Sequence, residues 1–271
     1  MSDDTYRPVD GLDVELRDQV LRLRLDRPTL RNAINDVMMA ALIDAVDAAG
    51  RDEGVRVISI TGSGDHFCGG ADIVARNAGS GSKPRAGSIQ RRLPSQAHRL
   101  IPLLCSVQVP VVCEVHGWAA GIGMQIATAA DFTVAAADAR FWEPFSSRGF
   151  TPDSGATWLL PRSVGPARAR ELLLLGRELS GAEAAEWGIA HQAVPSDEVG
   201  VTAEALVAKL ASGPTVALGL SKWLLYAGTS ASLDEQLRNE GFAMELSSRS
   251  EDFREGLSAF KERRTPDFKG R

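Results

Sequence analysis

The chain has 271 residues, 44% hydrophobic and 24% charged, enough for one full core or for a large domain with a smaller appendage. A net charge of −5 argues against a nucleic-acid or anionic-membrane surface; the longest apolar runs fall short of the ~20 residues of a membrane span, and the acidic start Met1-Ser2-Asp3-Asp4 does not read as a leader. Cys68, Cys105 and Cys113 lack metal-ligand spacing and the even count of a disulfide framework, so a cytoplasmic protein without a metal is expected.

Glu15 to Leu25 alternates polar and apolar residues around the turn-like Arg17-Asp18, the pattern of a hairpin with one buried face. Asn35 is placed to cap a helix whose apolar positions Val37, Met38, Ala41, Leu42, Ala45 and Val46 recur at helical spacing before Gly50 stops it. A strand is expected over Val55–Thr61, then a Gly/Ser-rich loop over Ala78–Ser88, either a lid over a substrate or a solvated insertion. A helix over Ile89–Leu104, a strand over Val111–Val115, a short helix from near Ile122 and a strand over Phe132–Ala136 follow. Strands separated by helices require crossovers, hence an α/β fold with a largely parallel sheet. From about Ser196 the strand signals stop, and four helical patterns occupy Val201–Ala211, Thr215–Ala227, Ser232–Ser247 and Glu251–Arg264. The chain is therefore divided into a core, residues 1–195, and a helical region, residues 196–271, suited to packing or oligomerisation.

Two glycine clusters stand at strand-to-helix junctions: His66-Phe67-Cys68-Gly69-Gly70-Ala71-Asp72 and Gly117-Trp118-Ala119-Ala120-Gly121-Ile122-Gly123-Met124-Gln125. Backbone N–H groups at a helix start are free to point at an anion. One from each junction on a single oxygen would form an oxyanion hole, and the chemistry suggested is on a carbonyl. Thr61-Gly62-Ser63-Gly64 lacks the third glycine of a dinucleotide-binding turn, Phe67 standing in its place, and no G-x-S-x-G elbow is present.

In order along the chain, Leu25-Asp26-Arg27-Pro28…Arg31-Asn32-Ala33-Ile34-Asn35, Phe67–Asp72, Gly117–Asp131, Trp187-Gly188-Ile189-Ala190 and Phe260–Phe268 resemble the successive signatures of the crotonase family, the enoyl-CoA hydratase/isomerase superfamily. The resemblance implies a ββα-repeat spiral with a helical C-terminal trimerisation region, assembling as trimers or dimers of trimers. It implies an acyl-CoA thioester substrate, with coenzyme A part of the substrate and no separate cofactor, and a place in fatty acid metabolism. Carried over by position, the two oxyanion donors are the N–H groups of Ala71 and Ile122. Arg31 would lie near the pyrophosphate or pantetheine, the backbone of Ala71, Asp72 and Ile73 would meet the adenine, and Arg263, with Phe260 nearby, would meet a phosphate from a neighbouring subunit. Alternatively Lys261, Arg263 and Arg264 form a solvated helix face.

At the two positions where family hydratases carry their glutamates, this chain has Gln125 and Phe145, which cannot ionise. Glu143 is expected at the surface or behind the reacting groups. Arg148 to Pro161, containing Pro152-Asp153-Ser154-Gly155-Ala156-Thr157-Trp158, resembles the epoxyphenylacetyl-CoA isomerase branch, which makes Asp153 the proton-moving residue. Phe67, Gln125, Trp142, Phe145 and His98 are the expected pocket residues. An ordinary aspartate is a weak base, and desolvation among apolar neighbours would help it. Alternatively Asp153 is the N-cap of the helix containing Thr157–Leu160. The favoured activity is isomerisation of an unsaturated acyl-CoA through a thioester enolate. The alternatives are hydratase (lyase) chemistry on a 2-enoyl-CoA, dehalogenase-like chemistry with Asp153 as nucleophile and His98 as partner, and a non-catalytic CoA-binding scaffold.

Overall fold

A computed structural model describes residues 5–72 and 85–271. Ile73 and residues 78–84 of the expected loop lie outside the described residues. The hairpin pairs β1 (Leu12–Arg17) antiparallel with β2 (Val20–Leu25), and its turn places Asp18 and Gln19 at positive φ. Asn35 caps α1 (Asp36–Ala49), its side-chain oxygen accepting the Met38 N–H at 2.9 Å. Parallel pairing then continues through β3 (Val57–Gly62), β4 (Val111–Val115), β6 (Phe132–Ala136) and β9 (Gln192–Val194), in the order β1-β2-β3-β4-β6-β9.

The expected single helix over Ile89–Leu104 is instead two: α2 (Ser88–Arg92) and α3 (Ala97–Ser106). Pro94 falls at the break, where a proline has no N–H to give and disfavours helix in the residue before it. A second sheet of very short strands, β5 (Trp118–Ala120), β7 (Arg140–Trp142) and β8 (Leu179–Ser180), has no counterpart among the sequence expectations. Around it lie α4 (Ile122–Ala129), α5 (Ala156–Leu174), broken at Gly165, and α6 (Gly181–Glu186).

Side chains alternate along β2 and so divide the core between two faces. Leu21, Leu23 and Leu25 pack with α1, α3 and α4 in the larger cluster. Val20, Val57 and Val112 meet Val207 and Leu210 of α7 (Val199–Ala211) on the other face, where Arg22 donates two hydrogen bonds to Glu204 at 2.7 and 2.8 Å. The helical region therefore begins as one layer of the main core. It continues with α8 (Thr215–Ala227), α9 (Leu233–Ser247) and α10 (Glu251–Glu262). Lys222 of α8 is 7% exposed and donates to Asp131 at 2.7 Å and to the Val109 carbonyl at 3.2 Å. The C-terminal tail turns back: Asp252 accepts the N–H groups of Lys269 (2.6 Å) and Gly270 (2.8 Å), and Arg56 donates to the Phe268 carbonyl. Leu237, Phe242, Met244 and Leu246 of α9 and Phe260 of α10 remain exposed. Among the described residues no helix is long and apolar enough to cross a membrane.

Candidate active site

The two glycine clusters lie side by side. Cys68 and Ala119 form a parallel bridge, with Cys68 N–H donating to the Trp118 carbonyl and Ala120 N–H to the Cys68 carbonyl, 2.8 and 2.9 Å. On the far side, Ile34 N–H donates to the Gly70 carbonyl and Asp72 N–H to the Ile34 carbonyl, both 2.9 Å. Those bonds use the groups flanking Ala71, so Ala71's own N–H faces away from Ile34. Gly70, at φ +109°, makes this change of direction, a conformation that side chains other than glycine's rarely allow. Ile122 is the first residue of α4, so its N–H has no intrahelical acceptor. Close packing holds the junctions together: a Cβ on Gly123 would stand 2.6 Å from the Cβ of Cys68.

Ala71 and Ile122 line one small cavity of about 70 Å³, closed by Met39, Pro144, Phe145, Phe150 and Asp153. Phe145 and Phe150 meet edge to face with ring centroids 5.4 Å apart. Asp153 also lines two larger cavities: one of about 430 Å³, walled by Ile101, Pro102, Trp158 and Tyr226, and one of about 640 Å³, which includes Ile89 and Leu93. It is the only carboxylate among the described residues lining the small cavity. Its Oδ1 accepts a hydrogen bond from the Ser154 hydroxyl at 2.7 Å.

Asp153 is not a helix cap. α5 begins at Ala156 behind Gly155, which adopts a left-handed conformation and leaves the end without a side-chain cap, so the carboxylate is released to the cavities. His98 is exposed, and its Nε2 lies 2.8 Å from the backbone carbonyl of Asp153 rather than from the carboxylate. A pairing of the two side chains for nucleophilic substitution is therefore not formed.

Three expected pocket residues are elsewhere. Phe67 is fully buried in the main core, and Gln125 is buried within α4. Trp142 packs against Trp118 at 5.9 Å and donates to the Gly176 carbonyl at 3.0 Å. Of the five, Phe145 is on the wall of the small cavity, where the turn after β7 swings it, and His98 lines the two larger ones. Arg31 adopts a left-handed conformation and its carbonyl accepts the Gly69 N–H at 2.6 Å, which places it beside the cavity rim. The side chain of Asp72 is taken by Arg27, 2.9 Å away. Phe260 is 84% exposed, and neither it nor Arg263 lines these cavities within one chain.

Sequence reasoning gave Asn32 no role and left Glu143 between two places. Asn32 is fully buried at positive φ; its Oδ1 accepts the Arg27 N–H, and its Nδ2 donates to the Ser63 and His66 carbonyls at 2.9 and 2.6 Å. It staples the Arg27–Asn35 segment to the first glycine cluster, and an asparagine tolerates this left-handed backbone. Glu143, expected at the surface or behind the reacting groups, is 1% exposed, which excludes the surface. Gln125 Nε2 donates to its Oε1. Burial, with the Asp153 charge adding to it, pushes the Glu143 carboxyl up to about 8 despite the Gln125 hydrogen bond.

A model of the enoyl-CoA hydratase/isomerase family matches residues 15–271. The chain is 40% identical over 253 residues to the 1,2-epoxyphenylacetyl-CoA isomerase of Escherichia coli, an alignment covering 93% of this chain and 95% of that protein. It is 34% identical over 258 residues to the 2,3-dehydroadipyl-CoA hydratase of the same organism, covering 95% and 98%. Among solved structures, an enoyl-CoA hydratase from Bacillus anthracis matches with a TM-score of 0.89 at 29% identity, over 96% of this chain and 100% of that one.

Proposed function

The chain belongs to the enoyl-CoA hydratase/isomerase (crotonase) family, and from that premise we propose that it isomerises an unsaturated acyl-CoA through a thioester enolate. The observation that carries this reading is the solitary carboxylate: Asp153 shares the small cavity with Ala71 and Ile122 and has no second carboxylate there among the described residues. The thioester oxygen accepts the two N–H groups, which stabilise negative charge as it develops; one such donor is worth about 3–4 kcal/mol of barrier. Asp153 takes a proton from one carbon and returns it to another, so the double bond shifts and no atom is gained or lost. Water addition by a pair of glutamates is disfavoured by Gln125 and Phe145 and by the burial of Glu143 away from the cavity wall. The 40% identity to a protein named as an isomerase supports the same choice. The hydratase reading keeps one support, the 34% identical relative named as a hydratase.

Coenzyme A enters as part of the substrate. Arg31 at the rim is proposed to meet its phosphate or pantetheine portion, and Phe260 and Arg263 to act on the site of a neighbouring copy in a trimer. The acyl group is assigned to the cavity of about 430 Å³ beside Asp153. The test is solvent deuterium exchange at the α- and γ-carbons of 3-enoyl, 2-enoyl and aryl-acetyl CoA thioesters, comparing wild type with Asp153→Asn. Exchange that the substitution abolishes while CoA binding persists is the expected result. Turnover that survives it returns the hydratase reading, and binding without exchange on any thioester identifies a scaffold.

A further inference from the structure

We propose that Glu143 is held as a neutral carboxylic acid in a cyclic, two-hydrogen-bond pair with the Gln125 carboxamide, and that this pair is a positioning device for the Ile122 N–H. The proposal starts from two buried oxygens. Gln125 Nε2 donates to Glu143 Oε1, yet Gln125 Oε1 and Glu143 Oε2 have no partner among the described residues. An ionised carboxylate only accepts, as does the carboxamide oxygen, so neither orphan can satisfy the other. A proton on Glu143 Oε2 turns one of them into a donor, and a single hydrogen bond then satisfies both. Leaving two such groups buried and unsatisfied costs each its full desolvation.

The pair joins two elements that both end at the cavity. Gln125 stands in the first turn of α4, its N–H on the Gly121 carbonyl at 3.0 Å, and Gly121 N–H donates to the Trp142 carbonyl at 2.9 Å. Side-chain pair and main-chain bond together clasp residues 121–125 to residues 142–143. Ile122 follows Gly121 on one side of the clasp, and Pro144 and Phe145 follow Glu143 on the other; all three line the cavity. The clasp therefore fixes the donor relative to the opposite wall. Among the described residues the charged group acting on Glu143 is Asp153, before α5, and its negative charge favours the neutral acid; Gln125, from α4, carries none. The protonated pair stands on geometry alone, whereas its role for Ile122 rests on the enolate reading.

The experiment compares wild type, Glu143→Gln and Glu143→Leu by infrared difference spectroscopy and by kcat and KM against pH. Two carboxamides can form the same cyclic pair without titrating, so Glu143→Gln keeps the clasp and removes the acid. The expected results are a protonated-carboxyl band in wild type at neutral pH, absent from Glu143→Gln and lost as pH rises through about 8. Turnover of Glu143→Leu should fall about tenfold through kcat with KM little moved, one buried hydrogen bond's worth, with Glu143→Gln recovering most of that loss. Absence of the band, or its persistence in Glu143→Gln, overturns the neutral acid. Equal kcat and pH profiles in the two variants overturn the positioning role. A band that behaves as expected in a protein that turns over no thioester leaves the pair standing and removes the enolate reading instead.

Discussion

Burial of Glu143 makes the stability of the whole protein depend on one proton. Its carboxyl is raised from 4.5 to about 8 in the folded state, chiefly by desolvation. The unfolded chain releases that proton near 4.5, so between the two values the folded state binds more protons than the unfolded state. The stabilisation is complete below about 4.5 and is lost as pH rises to about 8. Thermal unfolding should show a Tm that declines with pH across this window, and Glu143→Gln should flatten the decline; parallel slopes would show that the group ionises alike in both states. The sequence left this residue between the surface and a place behind the reacting groups because Phe141-Trp142-Glu143-Pro144-Phe145 has no clean alternation, and because its partner Gln125 lies 18 positions away on another element. Ala71 and Ile122, by contrast, came by position from the family resemblance, while glycine placement marked only the two strand-to-helix junctions that hold them.

Elements were legible where their ends carry their own chemistry. The Asn35 cap and the Gly50 stop gave α1, and Asn35→Ala should cost about 1 kcal/mol in urea unfolding while leaving turnover in place. The break between α2 and α3 was also written in the chain, in Pro94, but the apolar spacing across it looked continuous. The strands β5, β7 and β8, of two or three residues, are too short to show a period. Contact between elements was invisible in advance, and Gly123 measures how tight it is. A Cβ there would sit 2.6 Å from the Cys68 Cβ and 2.7 Å from its carbonyl oxygen. Gly123→Ala must push α4 from the first glycine cluster, costing about 1–3 kcal/mol of stability. It should also lower kcat/KM, because the Ile122 N–H moves with the helix. Unchanged kinetics would mean that the donor lies elsewhere.

Across the whole molecule, two features tie the helical region to the rest. The Lys222 ammonium is buried against Asp131, whose side chain keeps about a quarter of its surface open to solvent, and desolvation lowers the lysine and raises the aspartate. Lys222→Met removes the bonds to Asp131 and the Val109 carbonyl but leaves Asp131 solvated and bonded to the Val111 N–H, so it should cost about 1–3 kcal/mol in denaturant unfolding. Ninety-one positions separate the pair, beyond any local pattern. The exposed apolar residues of α9 and α10 carry the proposed assembly. Light scattering should give a multiple of 29.0 kDa, and Phe242→Glu should lower it; a monomeric wild type would return Phe260 and Arg263 to a solvated face.

The bridge between Cys68 and Ala119 has a consequence for how such a protein can change. What it aligns is peptide groups, which every amino acid brings in the same form. The device proposed to receive the thioester oxygen is therefore largely indifferent to substitution at Ala71 or Ile122, provided the glycines that bend the chain are kept. The groups proposed to set the outcome, Asp153 and Phe145, are side chains borne by other segments. Ancestry can thus redraw the reaction one side chain at a time while the receiving half stays in working order, which makes this architecture a forgiving starting point for directed evolution toward new thioester chemistry.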